Sequence, residues 1–125
     1  MPVRSLTSSV LKWPDAHAVD RAVRIWAAAL VQRRGDLQGV AYIGSYARGD
    51  WGVGSDLDLI VVLKQSQAPF WQRASDLDLA GFPVPTEALV YTVNEWQTLA
   101  EEHGRFFRTI EQEGVWVYRA PTWQE

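Results

Sequence analysis

The sequence predicts an α+β fold in a single domain, and three observations predict it. The chain has 125 residues, which is one domain's worth and enough to bury a core. Hydrophobic residues make up 47% and charged residues 22%, the balance of a globular protein. Helical and β-rich patterns follow one another in the order helix, strand, strand, helix, strand, helix, helix, strand, with no linker or low-complexity tract between them. Residues 1–125 are therefore read as one domain.

Residues 1–14 read as a loose lead-in or a short strand. Asp15 is placed to cap a helix whose apolar stripe (Val19, Val23, Trp26, Ala27, Leu30) recurs at three- and four-residue spacing. Asp20, Arg21, Arg24 and Gln32 fall mostly off that stripe. The helix is expected to end near Arg34, with Gly35 as its stop. Leu37–Ile43 is apolar and β-rich, a buried strand. Gly44-Ser45 follows at once, then a single helical turn over 47–51, broken by Gly52 and Gly54. In Leu57–Leu63 the run Leu59-Ile60-Val61-Val62-Leu63 reads as a strand covered on both faces. A second helix is expected over 70–79, a turn over 81–85 and a third strand over 88–93. Asn94 is placed to cap a helix through about Glu102, Gly104 separates it from another over 106–113, and 115–118 is a short terminal strand.

Composition excludes several kinds of chemistry. With no cysteine there is no disulfide, thiolate nucleophile or Cys-ligated zinc. His17 and His103 are the two histidines and lie far apart, which argues against a His-rich metal site. Any metal is expected to be a hard cation held by carboxylate oxygens. The net charge of -3 argues against a broad basic face for nucleic acid. No apolar run approaches the roughly 20 residues of a membrane span, and residues 1–12 lack the apolar stretch of a signal peptide, so the reading is cytoplasmic. Seven tryptophans are assigned to core and interface packing; the oligomeric state, a homo-oligomer included, stays open.

The chemistry is concentrated between Gly44 and Leu59. A strand there ends in Gly44-Ser45 and a helical turn begins, so free backbone N–H groups at its start favour an anion. Gly44 lets a phosphate approach the backbone, and the Ser45 hydroxyl can donate to a phosphate oxygen. Asp56 and Asp58 are two apart on a strand pattern, which puts both carboxylates on one face while Leu57 and Leu59 point to the other. Two adjacent carboxylates repel unless a cation joins them. Mg²⁺ suits the position, since it takes few carboxylates and completes its shell with water and substrate phosphates. Asp58 interrupts an apolar strand, where an unpaired carboxylate costs several kcal/mol, so a purely structural role suits it poorly.

The pattern Gly44-Ser45, spacer, Asp56-x-Asp58 resembles the signature of the polymerase-β-type nucleotidyltransferase superfamily. The added Ala47-Arg48-Gly49 makes it similar to the minimal nucleotidyltransferases, the MNT group. With the element order, the resemblance covers about residues 35–118. It implies a polymerase-β-like fold, a small mixed β-sheet packed by helices on one face. It implies a nucleotidyltransferase that moves the nucleotidyl group (AMP, with ATP as the NTP) to an acceptor hydroxyl, with two Mg²⁺ ions held by Asp56, Asp58 and a third carboxylate on a later strand. The match to that third position is Glu87, where most relatives carry Asp; it would complete the metal site or act as general base. Gly44, Ser45 and Arg48 are the implied nucleotide-binding residues. The resemblance also supplies a partner, since minimal nucleotidyltransferases are often paired with a helical HEPN ribonuclease toxin, for which they act as antitoxin.

Rival readings attach to several of these residues. Arg48 serves equally well as a surface partner of Asp50. Trp51 can stack on a base or pack in the core. Asp76 and Asp78 repeat the pentapeptide Ser-Asp-Leu-Asp-Leu of 55–59 at 75–79, but no Gly-Ser turn precedes them, and they read as a solvated helix end. For the whole protein the alternatives are a non-catalytic nucleotide- and partner-binding module, kept open by Glu87, and a small-molecule nucleotidyltransferase, disfavoured by the lack of a second domain for the acceptor.

Overall fold

The computed structural model describes residues 13–123, so the expectations for residues 1–12 lie outside the described residues. Helix α1 (Ala16–Arg33) starts where the Asp15 side chain accepts the Ala18 N–H at 2.9 Å, as the sequence predicts. Its end differs from expectation: Arg34 turns to an extended conformation (φ -130°), and Gly35 is not needed as a left-handed stop. Strands β1 (Leu37–Ile43) and β2 (Leu57–Leu63) have the bounds their apolar runs predict. Between them α2 (Ser45–Arg48) is one turn, beginning two residues earlier than expected.

The helix expected over 70–79 is largely absent. Helix α3 (Phe70–Arg73) passes into a 3-10 turn (Ala74–Asp76), and Leu77 is extended. Tertiary contacts explain the break. Arg73 is buried and donates to the Val90 carbonyl and to the Glu95 carboxylate, while Leu77 and Leu79 pack on the α1-side core. Strand β3 (Thr86–Thr92) then leads directly into α4 (Val93–Glu102). The cap of α4 is Thr92 and not Asn94: the Thr92 hydroxyl accepts the Glu95 N–H, and Glu95 reaches back to the Thr92 N–H, a capping box. Helix α5 (Arg105–Glu113) and strand β4 (Val115–Arg119) complete the chain.

The four strands form one mixed sheet in the order β3-β2-β1-β4. Strand β1 runs antiparallel to both β2 and β4, and β2 runs parallel to β3. The helices cover both faces, which corrects the one-faced packing that the resemblance implies. Val19, Val23, Ala27 and Leu30 of α1 pack with Leu57, Leu59, Val61 and Leu63 on one face. On the other, Ile60 and Val62 meet Trp96 of α4 and Phe107 and Ile110 of α5. The uninterrupted apolar run of β2 already demands cover on both sides.

Most of the tryptophans serve packing. Trp96, Trp116 and Trp123 meet edge to face, with Trp116 and Trp123 centroids 5.5 Å apart. This cluster sits so close to β1 that a Cβ on Gly39 would lie 2.6 Å from Trp123. Among the described residues, no helix is long and apolar enough to cross a membrane.

Candidate active site

The site grows from the two strand ends that the sequence singles out. Strand β1 ends at Ile43, whose Cα partner across the ladder is Asp58. Gly44 then takes φ +86°, ψ -159°, a conformation essentially reserved for glycine. A Cβ there would stand 2.9 Å from Asp58 Oδ2, so the residue must be glycine for space as well as for backbone. The Gly44 carbonyl accepts from Ala47 and Arg48, which starts α2 at Ser45. Tyr46 anchors this turn: it is buried, its hydroxyl donates to the Pro14 carbonyl at 2.8 Å, and Trp51 stacks on its ring at 5.7 Å.

Asp56 is exposed, just ahead of β2, and Asp58 is half-buried on the face that also carries Ile60 and Val62. The parallel pairing of β2 with β3 places Glu87 directly beside Asp58. Burial, the neighbouring Glu87 charge and the Asp56 charge, in that order, push the Asp58 carboxyl above its usual range, while Arg48 pulls it back. Arg48 lies 3.2 Å from Asp50 and 3.6 Å from Glu113. These ion pairs raise the Arg48 guanidinium further above its ordinary value, mainly through the Asp50 hydrogen bond. A cleft of about 540 Å³ opens beside the carboxylates, lined among others by Ile43, Asp58, Glu87, Leu89 and Phe106.

The donors here are carboxylate oxygens, the chemistry a hard divalent cation prefers, and a cation would relieve the repulsion that Asp58 suffers. Among the described residues, no three His, Asp or Glu side chains already converge as a metal-ligating group. Asp56 and Glu87 are exposed.

Other residues named from the sequence are placed elsewhere. Asp76 lies in the 3-10 turn, and the Asp78 carboxylate is spent on the Ala80 N–H, so the repeated pentapeptide builds no second site. His17 and His103 are exposed. Trp51 joins the α1-side core through Tyr46. Glu113, Leu89 and Phe106 were not legible as site neighbours. Glu113 ends an amphipathic helix and Phe106 lies in its first turn, and only tertiary packing brings them to Arg48 and Glu87.

Two solved structures share this architecture. One is a provisionally assigned nucleotidyltransferase from Sulfolobus solfataricus, 18% identical over 89% of this chain and 93% of that one, with a TM-score of 0.55. The other is described as a toxin-antitoxin with AMP-PNP, 16% identical over 78% of this chain and 74% of that one, with a TM-score of 0.52. At these identities the likeness is one of fold. No curated protein matches the sequence. The model of the nucleotidyltransferase domain family matches residues 25–117, well over half of the chain and all of the site from Gly44 to Glu87. The chain therefore belongs to the nucleotidyltransferase domain family and is a transferase of that kind.

Proposed function

We propose that this protein transfers the nucleotidyl group of an NTP, AMP from ATP, to a hydroxyl on a partner protein, as the antitoxin of a pair with a helical HEPN toxin. The observation that carries the reading is geometric: Asp58 pairs with Glu87 across the β2–β3 ladder, and its Oδ2 lies against the positive-φ turn at Gly44. Gly44 and Ser45 seat the triphosphate, and Arg48 exchanges its surface carboxylates for phosphate oxygens. Asp56, Asp58 and Glu87 would hold Mg²⁺, which supplies neutralisation of the phosphate charge. Glu87 also stands where a base can take the acceptor's proton. The fold-neighbour described as a toxin-antitoxin with AMP-PNP supports the partner and the adenine nucleotide.

The test is label transfer from ATP labelled at the α-phosphate, with Mg²⁺ and the co-purified partner, and Asp58→Ala as control. A labelled partner band that the variant loses is the expected result. ATP binding without any transfer would instead identify a non-catalytic binding module, the reading that Glu87 in place of Asp keeps open.

A further inference from the structure

Strand β3 is an edge of the sheet, and it carries the candidate base, Glu87. The Leu57 N–H donates to the Pro85 carbonyl at 2.9 Å, and Leu57 pairs with Thr86. In a parallel ladder this sets the alternation: the backbone groups of Glu87 and Leu89 face β2, and those of Thr86, Ala88 and Val90 face outward. The Val90 carbonyl is already taken, by Arg73 at 3.0 Å. The open part of the edge is thus the stretch from Thr86 to Leu89, and these four consecutive residues all line the 540 Å³ cleft. Ala74 and Leu79 form its wall on one side of the sheet, Leu89 and Phe106 on the other. Leu89 is 36% exposed and Phe106 38%.

We propose that this cleft takes an extended segment of the acceptor polypeptide, added antiparallel to the edge of β3 as a fifth strand. The inference rests on the nucleotidyltransferase reading above and names how its acceptor is held. Unpaired outward N–H and C=O groups over an apolar, cleft-walled edge suit a strand, because main-chain hydrogen bonds then supply affinity and alternate side chains supply specificity. Glu87 occupies a position whose own backbone groups point to β2. A residue opposite it is therefore not hydrogen-bonded to it, the arrangement in which facing side chains come closest. A hydroxyl side chain there meets the Glu87 carboxylate. Its oxygen attacks the α-phosphorus, its proton passes to Glu87, the bond from the α-phosphorus to the bridging oxygen of the β-phosphate breaks, and pyrophosphate leaves. The residue two positions away falls beside Leu89 and Phe106 and is apolar. Asp58 and Glu87 are the charged side chains in the lining, so the segment carries Lys or Arg in preference to Asp or Glu.

The probe is a set of synthetic peptides, acetyl-Lys-Val-Val-X-Val-Val-Lys-amide with X as Ser, Thr or Tyr, incubated with wild-type protein, Mg²⁺ and α-labelled ATP. Two further forms carry N-methyl groups, one on the residues flanking X, whose amides would face β3, and one on X itself, whose amide would face away. Ala88→Pro blocks the edge without removing a bond to β2, and ATP binding by calorimetry reports whether that variant is folded. The expected result is that one of the peptides is labelled, that flanking N-methylation lowers labelling at least tenfold while methylation of X does not, and that Ala88→Pro binds ATP as wild type but loses labelling. Equal labelling of all methylated forms, or full labelling by Ala88→Pro, would overturn strand addition. So would ATP binding with no peptide labelled, which leaves the nucleotide site standing. A wild-type dimer that Ala88→Pro converts to monomer would show that a second copy of this chain fills the edge. Failure to bind ATP would sink the nucleotidyltransferase reading and the proposal together.

Discussion

Asp58 shows how a residue of the proposed site can be costly to the fold. Its carboxyl is held above the usual range first by burial and then by the charges of Glu87 and Asp56. A raised carboxyl contributes stability that is present below its usual range and lost as pH rises through the raised value, so at neutral pH the ionised group opposes folding. Asp58→Asn is therefore expected to raise the melting temperature at pH 7 by roughly 2–5 °C, about what 1 kcal/mol does in a domain of this size. The gain over wild type should shrink as pH falls into the carboxylate range. Thermal scans across pH would show this, and a variant that melts lower than wild type at pH 7 would refute the assignment. Gly44 is the opposite case, required by both backbone and space. Gly44→Ala should cost roughly 1–3 kcal/mol in urea unfolding and weaken ATP binding at least tenfold by calorimetry. Both positions stand out in the sequence through a strand end and an i, i+2 pair, but the Glu87 charge on Asp58 and the closeness of Asp58 to Gly44 come only with the fold.

At the scale of elements, strand bounds were legible where the apolar run was long and bounded by turn residues, as in β1 and β2. Helix starts were harder, because several residues in a row could cap. Asn94 suits the role by type, but Thr92 is the residue whose hydroxyl accepts the Glu95 N–H, with Glu95 returning the bond. Thr92→Ala is expected to cost about 1 kcal/mol, and Asn94→Ala to stay within about 0.5 kcal/mol of wild type. Urea midpoints of the two variants, compared side by side, decide between them. The expected helix over 70–79 fails for another reason. Its pattern is adequate, but Arg73, Leu77 and Leu79 have partners on β3, α4 and the α1-side core that a continuous helix could not serve.

Across the whole molecule, the pair Arg73 and Glu95 ties the connector after β2 to the edge strand and to α4. Arg73 is 8% exposed, so removing its partner strands a buried charge, tempered by the 41% exposure of Glu95. Glu95→Gln is expected to cost roughly 1–3 kcal/mol at neutral pH. The Arg73 hydrogen bond, with help from Thr92, holds the Glu95 carboxyl below its usual range. Its contribution is then present above that range and lost as pH falls through the depressed value, so the deficit of Glu95→Gln should narrow in acid. Chemical unfolding at two pH values checks both parts, and a deficit unchanged in acid would count against the pairing. The sequence by itself determined the α+β class, the bounds of β1 and β2 and the glycine turn, because each follows from spacing within a few residues. Tertiary structure decided the sheet order, which helices cover each face, the Glu87–Asp58 register, Glu113 beside Arg48 and the open edge of β3. Those depend on register and packing between segments far apart in the chain, for which local periodicity carries no information.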